Sequence, residues 1–345
     1  MQRSRRHILR LVAGAAALPI APRIAKAQAY PARPVRVVVT TAPGSAADIH
    51  ARLLGQWLSE RLGQSFIIEN RPGAGNNIGT EAVVRSRPDG YTLLHVTAAA
   101  AINATLYDKL SFNFIRDIAP VASLVTVANV MTVHPSFPVR SVPEFIAYAR
   151  AHPGTINTGG NPGGAGHLSS ELFKMMTGAS ILYIPYRGEA LALTDLLAGQ
   201  LQVAFATLPG SIEYVRSGHL RVLAVTTAAR NKALPDISTI GEFVPGYESS
   251  GWQGIGVPRD TPREIIELLN KEINAALADP KIAARIAELG GSALSGSPAD
   301  FGKLVADETD KWAKVIRAAN IKPEWRPDKA LRASPRKRGP RGQAQ

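Results

Sequence analysis

From Tyr30 onward, short β-branched runs alternate with amphipathic helical segments, and this rhythm restricts the fold more than any other feature. The run "VRVVVT" (residues 35–40) reads as a buried strand. The segment after it sets Ile49, Leu53 and Trp57 on one helical face, with Gly63 as the stop. Strand-like "FIIE", a glycine-rich turn, a helix over residues 80–85 and strand "YTLLHV" follow. The cycle repeats through "TIN", "ILYIPY", "LQVAFA" and "LRVLAV". Such repetition predicts an α/β architecture with mostly parallel sheets flanked by helices.

Helix starts late in the chain carry recognisable chemistry. Thr261-Pro262-Arg263-Glu264 offers a cap, a proline at the first helical position and a capping-box acid, and Ser297-Pro298-Ala299-Asp300 repeats the pattern. The helix after Ser297 gathers Phe301, Leu304, Val305, Trp312, Val315 and Ile316 on one side. A body of ~300 residues exceeds what one hydrophobic core usually supports, so two lobes are expected. The extended runs at 119–135 and 252–258 are the candidate crossings. They divide the body into a first lobe of residues 30–125 plus 252–328 and a second of 126–251.

The net charge of +13 suggests a nucleic-acid binder until it is mapped. Arg3, Arg5, Arg6, Arg10, Arg23 and Lys26 lie before residue 28, and Lys329, Arg332, Arg336, Lys337, Arg338 and Arg341 close the chain, with no acid in either segment. Twelve of the thirteen excess charges therefore sit at the ends, and the near-neutral body argues against nucleic acid. Residues 1–29 read as a secretory signal: a basic start, an apolar stretch too short to span a bilayer, then Ala-x-Ala. The run Ser4-Arg5-Arg6-His7-Ile8-Leu9-Arg10 resembles the twin-arginine export consensus, which puts the mature protein in the periplasm. The tail, residues 329–345, has almost nothing apolar to bury and is expected to be disordered.

The search for catalytic chemistry finds little. There is no cysteine, which excludes thiol catalysis, disulfides and cysteine-based metal sites. No G-x-S-x-G elbow or Walker A loop occurs, and "GAGNNIG" is one residue off the dinucleotide fingerprint and reads as a tight turn. His50, His95, His134, His152, His167 and His219 form no metal-binding spacing.

Two loops stand out instead. "TTAPGSAAD" (residues 40–48) and "TGGNPGGAGH" (residues 158–167) each lead from a strand into a helix, one in each lobe. Their small residues leave backbone N–H groups uncovered at the helix starts, which are ready anion sites. Asp48 reads as a first-turn partner of the helix dipole. His167 reads equally as a donor to a ligand or as a cap on its own helix.

Several motifs, in this order, carry a family resemblance: "APGSAAD", "ENRPGAGNNIG", "RPDGYTLL", "GHLSSELF", "IPYRGEALALTDLLAGQL", "GHLRVLAVTTAARNKALPDISTIGEF" and "WQGIGVPRDTP". Over residues 30–323 the chain resembles the Bug-type periplasmic solute-binding proteins, receptors of tripartite tricarboxylate transporters. The resemblance implies a two-lobed periplasmic-binding-protein clamshell that captures a small organic carboxylate between its lobes and hands it to membrane permease subunits. It implies ligand contacts from Pro43, Gly44, Ser45, Ala46 and Ala47 in the first loop and Asn161, Gly163, Gly164, Ala165 and His167 in the second. Thr97 and Thr207, at strand ends, are expected to read the rest of the ligand. The chain departs from the family at Ser45, usually a second glycine, and at Ala47, often a hydroxyl residue. A bulky residue is common where Thr41 stands, and Arg187 is expected to serve a structural role. This reading involves no enzyme activity, cofactor, metal or nucleic acid, and takes the receptor as a monomer. A sensor reporting to a membrane kinase, or an enzyme on the same fold, are the alternatives.

Overall fold

The structure is a computed structural model that describes residues 30–107, 109–160, 162–186 and 188–323. The signal and tail readings, Asn161 and Arg187 lie outside those residues.

The chain runs β1 (Val35–Val39), α1 (Ala46–Leu62), β2 (Phe66–Asn70), α2 (Asn77–Val84), β3 (Thr92–Thr97), α3 (Ala99–Leu106), α4 (Phe114–Asp117) and β4 (Ile118–Val133). It continues α5 (Val142–Ala151), β5 (Asn157–Gly160), α6 (Ala165–Thr177), β6 (Leu182–Pro185), α7 (Glu189–Leu197), β7 (Val203–Thr207), α8 (Leu208–Arg216) and β8 (Arg221–Val225). The last part is β9 (Ser250–Pro258), α9 (Arg263–Ala278), α10 (Pro280–Glu288), β10 (Gly291–Ala293) and α11 (Pro298–Ala318).

Among the described strands, parallel pairing joins β2-β1-β3 and β5-β6, with one isolated parallel bridge between Val225 and Thr239. Every antiparallel pair among the described residues involves β4 or β9, the strands foreseen as crossings. β4 is the true crossing strand. Its first part pairs with β9 and β10, and from Asn129 to Val133 it pairs with β7 and β8. β9 pairs only with β3 and β4, so the chain has already returned to the first sheet when that strand begins. A 16-residue strand buried along almost its whole length suits this role, since it is covered by helices in both lobes.

Where the elements differ from expectation, packing explains it. On α1 the buried hydrophobic residues are Ala47, Ala51, Leu54 and Leu58, while Ile49, Leu53 and Trp57 are only half-buried. Trp57 is partly exposed because its indole N–H reaches across to the Glu272 carbonyl of α9, 3.2 Å away. The strand foreseen at "TIN" lies further on, over "NTGG", with Ile156 as its buried anchor. Thr261 does not cap α9: its hydroxyl donates to the Pro258 carbonyl (2.7 Å), and Pro262 stands at the cap position. The second capping box forms as expected, Ser297 accepting from Asp300 N–H and Asp300 from Ser297 N–H. α11 then buries Phe301, Val305, Trp312, Val315 and Ile316 in the core shared with β3 and α3.

Candidate functional site

The carboxyl ends of β1, β3 and β7 and the loop after β5 open on one cleft of about 270 Å³. That is where ligands usually sit on α/β sheets. Residues of the first sheet supply one wall (Thr41, Ala46, Asn76, Thr97, Asn103, Trp252 and Gln253 among them). Gly163, Gly164, Ala165 and Thr207 supply the other, and Val127 and Asn129 of the crossing strand form part of the lining. No lysine, arginine, aspartate or glutamate is among the described lining residues.

The two loops are built alike. Gly44 (φ +79°) and Gly163 (φ +70°) both take left-handed backbone, a conformation that costs other residues strain. At Gly163 the Leu106 side chain, reaching over from α3, also fills the space a Cβ would need. In each loop the side chain four residues on accepts the glycine N–H: Asp48 from Gly44 (2.9 Å) and His167 Nδ1 from Gly163 (3.0 Å). Ser45 caps α1, accepting from Asp48 N–H, and its hydroxyl bonds Thr41 (2.7 Å). Gly164 caps α6 with no side chain at all. Among the described residues, no backbone carbonyl takes the amides of Ala46, Ala47, Ala165 or Gly166. Ala46 and Ala165, the two of these that line the cleft, bring the positive dipole ends of α1 and α6 to it.

The fastenings differ in charge. Burial alone would raise the pKa of Asp48, but hydrogen bonds from Arg52, Gly44 and Asn70 hold it below the usual carboxylate range. Its charge is countered by Arg52, 3.0 Å away. His167 is lowered to about 4 by burial, with Lys174 adding to the effect. It is therefore neutral near pH 7 and stacks on Tyr183 at 3.6 Å between ring centroids.

Of the expected contacts, Ala46, Thr97, Gly163, Gly164, Ala165 and Thr207 line the cleft. Pro43, Gly44, Ser45 and Ala47 do not; Gly44 and Ser45 are tied to Asp48 by hydrogen bonds that shape the helix start. His167 is likewise off the cleft, because its acceptor nitrogen is spent on Gly163. Thr207 lines the wall, yet its hydroxyl donates to Glu189 (2.6 Å) and caps α8. Burial raises the pKa of Glu189.

Sequence reasoning missed Thr41, Gly75, Asn76, Asn103, Tyr107, Asn129, Trp252 and Gln253. "GAGNNIG" held two of them in what reads as a turn. Asn129 and Gln253 were visible as polar residues interrupting apolar strands. Asn129 is fully buried, donates to Ser169 (3.2 Å) and has no partner for its carbonyl oxygen among the described residues. Asn103 and Tyr107, one turn apart on and just after α3, left no local signal. No group of three or more His, Asp or Glu residues among those described forms a metal site.

A two-lobed α/β body with an uncharged, donor-lined cleft between sheet ends defines a solute-binding receptor. The family model of the tripartite tricarboxylate transporter family receptor matches residues 50–321, and the chain belongs to that family. BugT of Bordetella pertussis is 35% identical over 300 residues, covering 86% of this chain and 92% of BugT. An R. palustris protein solved with adipate is 39% identical with a TM-score of 0.78, covering 85% of this chain and 99% of its own. MatC from Rhodopseudomonas palustris, solved with bound malate, is 28% identical with a TM-score of 0.74, covering 83% of this chain and 100% of its own.

Proposed function

We propose that the protein captures a small carboxylate in this cleft, in the periplasm, and presents it to the permease of a tripartite tricarboxylate-type transporter. One observation carries the reading: the first turns of α1 and α6 bring Ala46 and Ala165, whose amides have no backbone acceptor among the described residues, to a single cleft with no charged side chain among its described lining residues. A carboxylate is the group that such paired helix starts accept best. Hydrogen bonds to a charged group contribute roughly 1.5–3 kcal/mol each, so a handful supports micromolar affinity, about 8 kcal/mol. The adipate and malate in the two R. palustris structures support the same class.

Residues 30–125 with 252–323 act as one lobe and 126–251 as the other, closing on the ligand about the crossing strand. Export follows the Arg5-Arg6 signal, and a double lysine variant is expected to stay in the cytoplasm. Calorimetry with an acid and its neutral amide tests the binding: adipate is expected to bind and adipamide to bind at least about a hundredfold more weakly. Equal affinities would sink the carboxylate reading.

A further inference from the structure

Behind the first wall of the cleft stands a buried histidine that the binding reading leaves without a role. His50 belongs to α1 and is only 3% exposed, and its Nδ1 lies 2.8 Å from Oε1 of Gln253, 203 positions further along the chain. Gln253 lines the cleft beside Thr97, its partner in the β3–β9 register. We propose that His50 is a positioning residue: its Nδ1–H holds the Gln253 carbonyl and so turns that side chain's NH₂ toward the cleft, as a donor to an oxygen of the bound acid. The proposal rests on the carboxylate reading of the cleft and adds how a neutral donor of the first lobe is aimed.

The choice of tautomer carries it. A neutral imidazole can meet a side-chain amide at this distance in two ways. In the first, Nδ1–H donates to the Gln253 carbonyl and Nε2 keeps a bare lone pair. In the second, the amide is reversed, its NH₂ donates to Nδ1, and the ring proton sits on Nε2. That Nε2 is buried with no partner among the described residues, and the ring shares a small space with Leu53, Leu54, Leu124, Leu277 and Ile286, whose side chains accept nothing. The second arrangement would strand an N–H in apolar surroundings. Orphaned buried donors are rarer in native proteins than under-used acceptors, so the first arrangement wins. Burial also lowers the His50 pKa, which keeps the ring neutral near pH 7. With the carbonyl held by His50, the Gln253 NH₂ is left over. His95, two residues before Thr97 on β3, does not take it, since both of its ring nitrogens are without a partner among the described residues. The remaining place for an acceptor is the cleft that Gln253 lines.

Two measurements test it. Long-range ¹H–¹⁵N correlation spectra of protein labelled with ¹⁵N in histidine, with His50→Asn to assign the signal, are expected to show His50 protonated on Nδ1 near pH 7. A proton on Nε2 would overturn the proposal. The second measurement is calorimetry with adipate. His50→Leu suits the apolar surroundings but removes the donor, and is expected to weaken adipate binding at least about fivefold. His50→Asn places an amide N–H close to where Nδ1–H stood, and is expected to keep affinity within about twofold of the wild type. Thermal melts establish that each variant is folded. Unchanged affinity in a folded His50→Leu, or an equal loss in both variants, would mean that His50 aims nothing. Should adipate fail to bind the wild type, the carboxylate reading falls, and the tautomer by itself decides whether His50 holds Gln253 in the stated orientation.

Discussion

The two cleft loops solve one problem with different electrostatics, one fastening charged and the other neutral. Each places a left-handed glycine before a helix and has the side chain four residues later hold that glycine's N–H. In the first loop the holder is a carboxylate, so α1 begins with a negative charge that Arg52 balances and Asn70 hydrogen-bonds. In the second it is a neutral imidazole, and α6 begins with no charge and no capping side chain. An arriving anion therefore meets a dipole already partly answered at α1 and one left open at α6. From this asymmetry the second loop is expected to carry more of the ligand's charge.

The largest effect should come from filling that open terminus. Gly164 has ordinary extended backbone (φ −74°), so Gly164→Asp is expected to fold normally and cap α6 itself. Its carboxylate would take the ligand's place, and calorimetry should show affinity reduced by at least about a hundredfold. Gly44→Asp mixes charge with strain at a φ of +79°, which makes it the less clean variant. Normal binding by Gly164→Asp would break the comparison.

Acidification should separate the loops next. The folded protein holds His167 at about 4 and His95 at about 3, both lowered first by burial from the ordinary 6.5. Below pH 6.5 the unfolded chain binds protons that the folded one refuses, so stability falls as pH drops toward 4 and is level above 6.5. Thermal melts across that range should show a falling Tm, and His167→Gln should flatten part of the slope. A Tm independent of pH there would contradict the neutral second fastening.

Asp48→Asn makes the first loop as neutral as the second while keeping an acceptor for Gly44. Anion affinity is expected to rise severalfold, and stability to fall, because the new amide would turn an N–H toward one of the donors, Gly44 N–H or Asn70, that the carboxylate accepts from. Weaker binding would mean that the carboxylate itself helps to position the ligand. The smallest change should follow Ser45→Ala: about 0.5–1 kcal/mol of stability by denaturant titration, and affinity within about twofold.

Much of this architecture was legible in the residues. Strand and helix identity followed from period, the Ser297 capping box from local spacing, and the two cleft loops from glycines at strand-to-helix turns. The motif order "APGSAAD" through "WQGIGVPRDTP" pointed to the family, and the family model bears it out. Individual contacts were less legible. Gly44 and Ser45 were expected at the ligand and His167 either there or at its own helix start, and a motif does not show which hydrogen bonds each makes within the fold.

What the sequence determined by itself is what depends on neighbours within a few residues: the elements, their caps, the left-handed glycines and the absence of thiol chemistry. Tertiary structure alone decided the rest. Asn103 and Tyr107 join a site with Gly75 only because α3 packs on the turn before α2. Asn129 reaches the cleft because β4 passes between two sheets. His50 meets Gln253 from 203 positions away, and hydrogen-bond partners at that range leave no periodicity to read.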